Sequence, residues 1–259
     1  MSVALVSRSA GRMTDAEWQT RVDLAACYRL VHHYGWADLT ATHISARVPG
    51  PEHHFLLNPY GVLFDEITAS SLVKVDLDGR VIDPPGVELN PAGFVIHSAV
   101  HMAKPELACV LHTHTAAGTG VATQRDGLLP LTQHSLLIWN EIAYHDFEGA
   151  ATDLDERGRI VADLGERKIL ILRNHGLLTV GRTVGEAFVW MYRAERACRM
   201  QLAFQGANVP AYPVPESVIR KTAEQGSPRL HASNRPQVGD REWPAMLRLV
   251  DRIDPTYKN

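Results

Sequence analysis

The sequence predicts an α/β protein built as a three-layer sandwich, on three observations. Apolar runs of strand character alternate with amphipathic, helix-period segments as far as residue 206. Two of the runs, at 107–111 and 169–172, are unbroken, as in strands covered on both faces. At 259 residues the chain suffices for one large domain of this class or two small ones.

Taken in order, residues 1–14 read as a flexible leader. Thr14 with Glu17 three positions on marks a helix start. Trp18, Val22, Ala25, Ala26 and Leu30 carry that helix to about His33, and Gly35 stops it. Residues 38–48 read as a loop feeding a strand, 54–58 as the next strand, and Asn58-Pro59-Tyr60-Gly61 as a turn. The segments 72–76 and 80–83 flank Asp78-Gly79, a hairpin signal. A buried helix opens at Pro91 and takes in Phe94, Val95, Ile96, Ala99, Val100 and Met102. The 107–111 strand runs into a helix over about 115–124. Residues 128–146 read as one or two further strands, and 153–164 as an amphipathic helix. The 169–172 strand leads into a long helix over about 184–205. Past Gly206, the prolines at 210, 213, 215 and 228 mark an irregular extension, 207–259, that packs on the core or on a neighbouring subunit. It ends in an amphipathic segment at 243–253.

Composition narrows the partners. A formal net charge of -3 gives no basis for binding nucleic acid or an anionic membrane. No apolar run approaches the roughly 18 residues of a membrane span, and the first residues carry no sustained signal-peptide core. Cys27, Cys109 and Cys198 sit among apolar neighbours without paired spacing, which fits buried reduced thiols and a cytoplasmic protein.

The chemistry concentrates at the ends of the two apolar runs. Side chains alternate faces along a strand, so His112 and His114 point the same way. The second run ends in Arg173-Asn174-His175-Gly176. Two strand ends delivering three imidazoles can build a metal site, although the spacing alone is equally met by ordinary strand-end histidines. A divalent ion so held, with a coordination position open, is a Lewis acid able to polarise a carbonyl. Zinc is the first choice by ligand type, with manganese, iron and cobalt as the others.

Several motifs in one order then carry a resemblance. The stretches Pro105-Glu106-Leu107-Ala108-Cys109-Val110-Leu111-His112-Thr113-His114-Thr115, Asn90-Pro91-Ala92-Gly93-Phe94, Asp126-Gly127-Leu128-Leu129-Pro130, Ala143-Tyr144-His145-Asp146 and Arg173-Asn174-His175-Gly176 resemble the class II aldolase/adducin head-domain family, adducin-like branch. The likeness covers roughly residues 15–253. It implies an α/β/α sandwich with a central mixed sheet over 15–206, and a homotetramer with sites at subunit interfaces. It also implies metal ligands at His112, His114 and His175, and substrate contacts at His43, Asn58, Gly61 and Asn174. Asn174 could equally cap the turn at Gly176. By the same resemblance a catalytic tyrosine falls near His134, which becomes an acid/base candidate, while Tyr212 and Tyr257 read as packing residues.

The departures matter as much. The family's acid/base carboxylate falls near Gly93, which has no side chain, and Glu88 is the nearest substitute. His97 and His101 share a helix face and could approach the metal, the bland alternative being structural histidines. The family's phosphate-binding hydroxyls and nest are largely replaced at Thr42-His43-Ile44-Ser45 and Asn58-Pro59-Tyr60-Gly61. The resemblance therefore implies a metal-dependent lyase acting on a small, non-phosphorylated oxo- or hydroxy-carbonyl compound through a stabilised enediolate. The alternatives are a decarboxylase or epimerase of the same family, or a non-catalytic adducin-like oligomerisation domain. Actin binding is disfavoured, since no basic tail is present.

Overall fold

A computed structural model describes residues 13–149, 153–227 and 236–259. The expected leader lies outside them up to residue 12. Strands β1 (Ile44–Arg47), β2 (Phe55–Leu57), β3 (Val73–Val75), β4 (Val81–Asp83), β5 (Cys109–Thr113), β6 (Ile142–His145), β7 (Ile169–Leu172) and β8 (Gly176–Gly181) form one sheet. Their order is β4-β3-β2-β1-β5-β8-β7-β6. All neighbours pair antiparallel except β6 and β7, which are parallel through the crossover helix α5 (Glu156–Leu164). The sheet is therefore mixed, as expected.

Strand periodicity divides the core. On one face Cys109, Leu111, Ile169, Ile171 and Leu177 pack against α1 (Asp15–His33) and α6 (Val184–Gly206). On the other, Val110, Leu170, Leu172, Leu178 and Val180 meet Ile96 and Val100 of α2 (Pro91–Ala103) and Ile160 and Leu164 of α5. Helix, sheet and helix make the three layers.

Local chemistry accounts for the ends of the elements. Thr14 caps α1 by accepting the Glu17 N–H at 3.1 Å. The Glu17 carboxylate does not close the capping box; it bonds the buried Arg21 and Lys74, tying α1 to β3. Thr183 caps α6 in the same way through Glu186. Helix α3 (Ala116–Ala122) follows β5, capped by Thr115.

Four expectations change. Within 128–146 there is one strand, β6, preceded by the helix α4 (Gln133–Ile138); the capping box of Thr132 and Ser135 starts that helix. Residues 176–181 are a strand in their own right, so 169–181 is a β-hairpin rather than a single strand. Met102 is half exposed, because α2 turns that position to solvent. The segment 207–259 is less irregular than expected: it carries α7 (Glu216–Gly226) and α8 (Glu242–Ile253). Val250 of α8 and the following Tyr257 enter the large core, Trp243 donates to Asp23 and Asp254 pairs with Arg29. Pro228, Ser233 and Asn234 lie outside the described residues. Among those described, no helix is long and apolar enough to cross a membrane.

Candidate metal centre

Strands β5 and β7 both run antiparallel to β8, which lies between them, so they point the same way. Their C-terminal ends therefore lie at the same end of the sheet. His112 follows Val110 onto the α2 face, and His114 stands just past the strand end. The turn joining β7 to β8 brings His175. Asn174 takes a left-handed conformation there (φ 56°), which asparagine tolerates better than most residues. Gly176 is required by proximity: a Cβ on it would run into the Thr113 carbonyl. That close approach sets the hairpin turn beside the end of β5.

The three imidazoles converge. His114 Nε2 lies 2.9 Å from both His112 Nε2 and His175 Nε2. Nitrogens around a tetrahedral zinc ion stand about 3.3 Å apart, given bonds of about 2.05 Å, so these two separations need to open by only a few tenths of an ångström, and all three ligand nitrogens lie within 4.8 Å of one another. The outer nitrogens of two rings are engaged. His112 Nδ1–H donates to the Leu177 carbonyl at 2.9 Å, which leaves its Nε2 lone pair facing the centre. His114 Nδ1 meets the Asp38 carboxylate at 3.0 Å, the carboxylate–histidine arrangement that orients metal ligands. Desolvation by burial, with the neighbouring histidines second, holds His112 well below the usual imidazole range and His175 down to about 4. Both are thus neutral at physiological pH, the form that binds metal. This donor set fits a divalent transition metal.

The trio opens on a cavity of about 830 Å³, lined also by His43, Ile96, Thr119, Phe147 and Asn174. Two of the expected substrate contacts, His43 and Asn174, therefore face it. Asn58 and Gly61 do not line it. Asn58 is buried and accepts a hydrogen bond from Tyr28 at 2.8 Å, which employs it structurally. Gly61 belongs to the turn after β2, with φ +81°. His134 also stands apart: it is on α4 and lines a separate cavity with Arg193 and Glu242. Within this chain it does not line the cavity of the trio.

The place near Gly93 is filled by His43. A Cβ at Gly93 would lie 2.6–2.9 Å from three atoms of that ring. Glu88 is exposed and does not line the cavity. His97 and His101 are not ligands of the trio: Ser45 Oγ bridges His97 Nδ1 and His101 Nε2, each at 2.7 Å. Tyr257 is buried and donates to Asp251, whereas Tyr212 is exposed. Sequence reasoning missed the pairing of Asp38 with His114, since 76 residues separate them and no local signal links the two.

Fold and site together define a class: an α/β sandwich presenting three strand-end imidazoles to an open cavity. The model of the class II aldolase and adducin N-terminal domain matches residues 22–202. A Caulobacter vibrioides protein, named provisionally as a class 2 aldolase, is 52% identical over 95% of each chain. Rat alpha-adducin is 40% identical over 90% of this chain, a match that takes up 33% of the adducin. A solved aldolase II superfamily protein from Pseudomonas syringae is 49% identical, with a TM-score of 0.90 over 98% of this chain and 100% of that one. L-fuculose 1-phosphate aldolase from Glaciozyma antarctica is 28% identical, with a TM-score of 0.80 over 99% and 98%. The chain belongs to the class II aldolase and adducin N-terminal domain family.

Proposed function

We propose that the chain is a metal-dependent lyase of the class II aldolase type, acting on a small, non-phosphorylated oxo- or hydroxy-carbonyl compound. The observation that carries this reading is the convergence of three Nε2 atoms on the floor of a cavity large enough for such a molecule. His112, His114 and His175 would hold zinc, or manganese, iron or cobalt. Such an ion supplies a Lewis acid that offsets the negative charge developing beside a carbonyl when a carbon–carbon bond breaks. The chain's own residues do the rest. Leu177 and Asp38 orient the ring nitrogens, Phe147 and Ile96 give the cavity an apolar stretch of wall, and Asn174 offers an amide to substrate oxygen. The engagement of Asn58 with Tyr28 supports a substrate without phosphate.

Decarboxylation and epimerisation make the same demand on the site, so products must separate the three reactions. A panel of non-phosphorylated hydroxy-carbonyl compounds and hydroxy acids, followed for aldehyde and for carbon dioxide, is the test. Chelator-sensitive aldehyde release, restored by metal, supports the lyase. Carbon dioxide alone moves the assignment to a decarboxylase, and interconversion of stereoisomers alone moves it to an epimerase.

The identity to alpha-adducin favours a second reading, a non-catalytic oligomerisation domain. A folded, metal-loaded protein inert across the panel supports that one. The family also motivates a homotetramer with sites completed at subunit interfaces, which light scattering on the eluting protein checks.

A further inference from the structure

The His43 side chain raises a question that the metal reading leaves open. Only 3% of the residue is exposed, and neither ring nitrogen has a hydrogen-bond partner among the described residues. Burying unpaired imidazole nitrogens costs free energy unless something else provides the partner. The ring is firmly placed. Its own carbonyl accepts the His112 N–H at 3.2 Å, its face lies against the His112 ring with centroids 6.1 Å apart, and His97 stands nearly perpendicular behind it at 5.5 Å. It lines the cavity on which the trio opens.

The facing position is as unusual. Gly93 lies inside α2, where glycine is less favourable than alanine by its backbone entropy. No left-handed conformation calls for it. What it provides is room: a Cβ there would meet Cδ2, Cγ and Nε2 of His43 at 2.6, 2.7 and 2.9 Å, all within the rigid ring.

We propose that His43 and Gly93 form a size-exchange pair, and that the His43 imidazole is the polar contact for an uncharged oxygen of a ligand bound at the trio. This deepens the metal-dependent reading and rests on it. A neutral imidazole offers one N–H donor and one acceptor nitrogen, and both nitrogens of His43 are without a partner among the described residues. A hydroxyl group, which both gives and accepts a hydrogen bond, satisfies both. The bare backbone at Gly93 leaves room for the ring where it stands; a side chain there would displace it. The ligand class is thus a small hydroxy-carbonyl compound that chelates through two oxygens and presents a hydroxyl to His43.

Two measurements test the pair. Cobalt(II) reports occupancy of the trio by its visible absorption, and glycolohydroxamate, a phosphate-free chelator with two adjacent oxygens and a free hydroxyl, serves as the probe. His43→Phe keeps a ring and removes both nitrogens, so it should bind cobalt within about threefold of wild type but glycolohydroxamate at least tenfold more weakly. His43→Asn, which retains a donor and an acceptor, should recover part of that loss. In parallel, Gly93→Ala should lower the melting temperature of the metal-free protein, and adding His43→Ala should restore most of it. Equal hydroxamate affinity in wild type and His43→Phe, or strictly additive effects of Gly93→Ala and His43→Ala, overturns the proposal. A wild type that takes up no cobalt overturns the metal reading itself and the ligand half of this pair, while the coupled melting temperatures still decide the packing half.

Discussion

Two rings of the trio are held by chemically specific partners. The Leu177 carbonyl fixes the tautomer of His112, and Asp38 does the same for His114 from a half-exposed position. Removing an outer partner of a metal-bound imidazole costs about 10–100-fold in metal affinity. Asp38→Asn keeps the shape and removes the charge, so its affinity for zinc should fall by about tenfold in a competition titration, with the fold unchanged. Of the trio, His112 and His114 were legible from strand alternation, and His175 from the second strand end together with the family resemblance. The partners were not. Asp38 and Tyr28 reach the site or its neighbours by contacts across the sequence, which no local pattern encodes. Asn58, a substrate contact by the resemblance, has its side chain engaged by Tyr28, thirty positions earlier.

At the scale of elements, the β7–β8 hairpin decides whether the histidines meet. Its tightest point is Gly176 against Thr113, backbone on backbone, where no flexible side chain can yield. Gly176→Ala should therefore destabilise the protein by about 3 kcal/mol, at the upper end for overpacking, and loosen metal binding with it; urea unfolding with and without zinc measures both. Elements with strong local signals were readable in advance: α1 from Thr14 and Glu17, the β3–β4 hairpin from Asp78-Gly79, and the two buried strands from their apolar runs. Those with weak ones were not. Helix α4 is six residues long and announced only by its capping box. Only three residues separate the end of β7 from the start of β8, so the two merge in any periodicity reading. Helix α7 lies among prolines that suggest disorder, and its polar residues outnumber the apolar ones that would mark a buried face.

For the whole molecule, the buried imidazoles couple stability to pH. Burial lowers His43 to about 4 and His101 to about 3, against an ordinary value of 6.5. Between those limits the unfolded chain binds protons that the folded chain does not, so acid favours unfolding. Stability of the metal-free protein should be full above about pH 6.5, decline as pH falls toward 4, and level off near 3 as far as these two groups control it. Urea midpoints taken across that range measure the slope. Zinc should shift the decline to lower pH, because the bound form holds its imidazoles unprotonated.

The most direct test is the metal content of the untagged protein, purified without chelators. The account predicts about one transition-metal ion per chain, and its loss in His112→Ala and His175→Ala proteins that remain folded. Well-folded wild-type protein that holds no metal, and takes none up when zinc or cobalt is supplied, would contradict it.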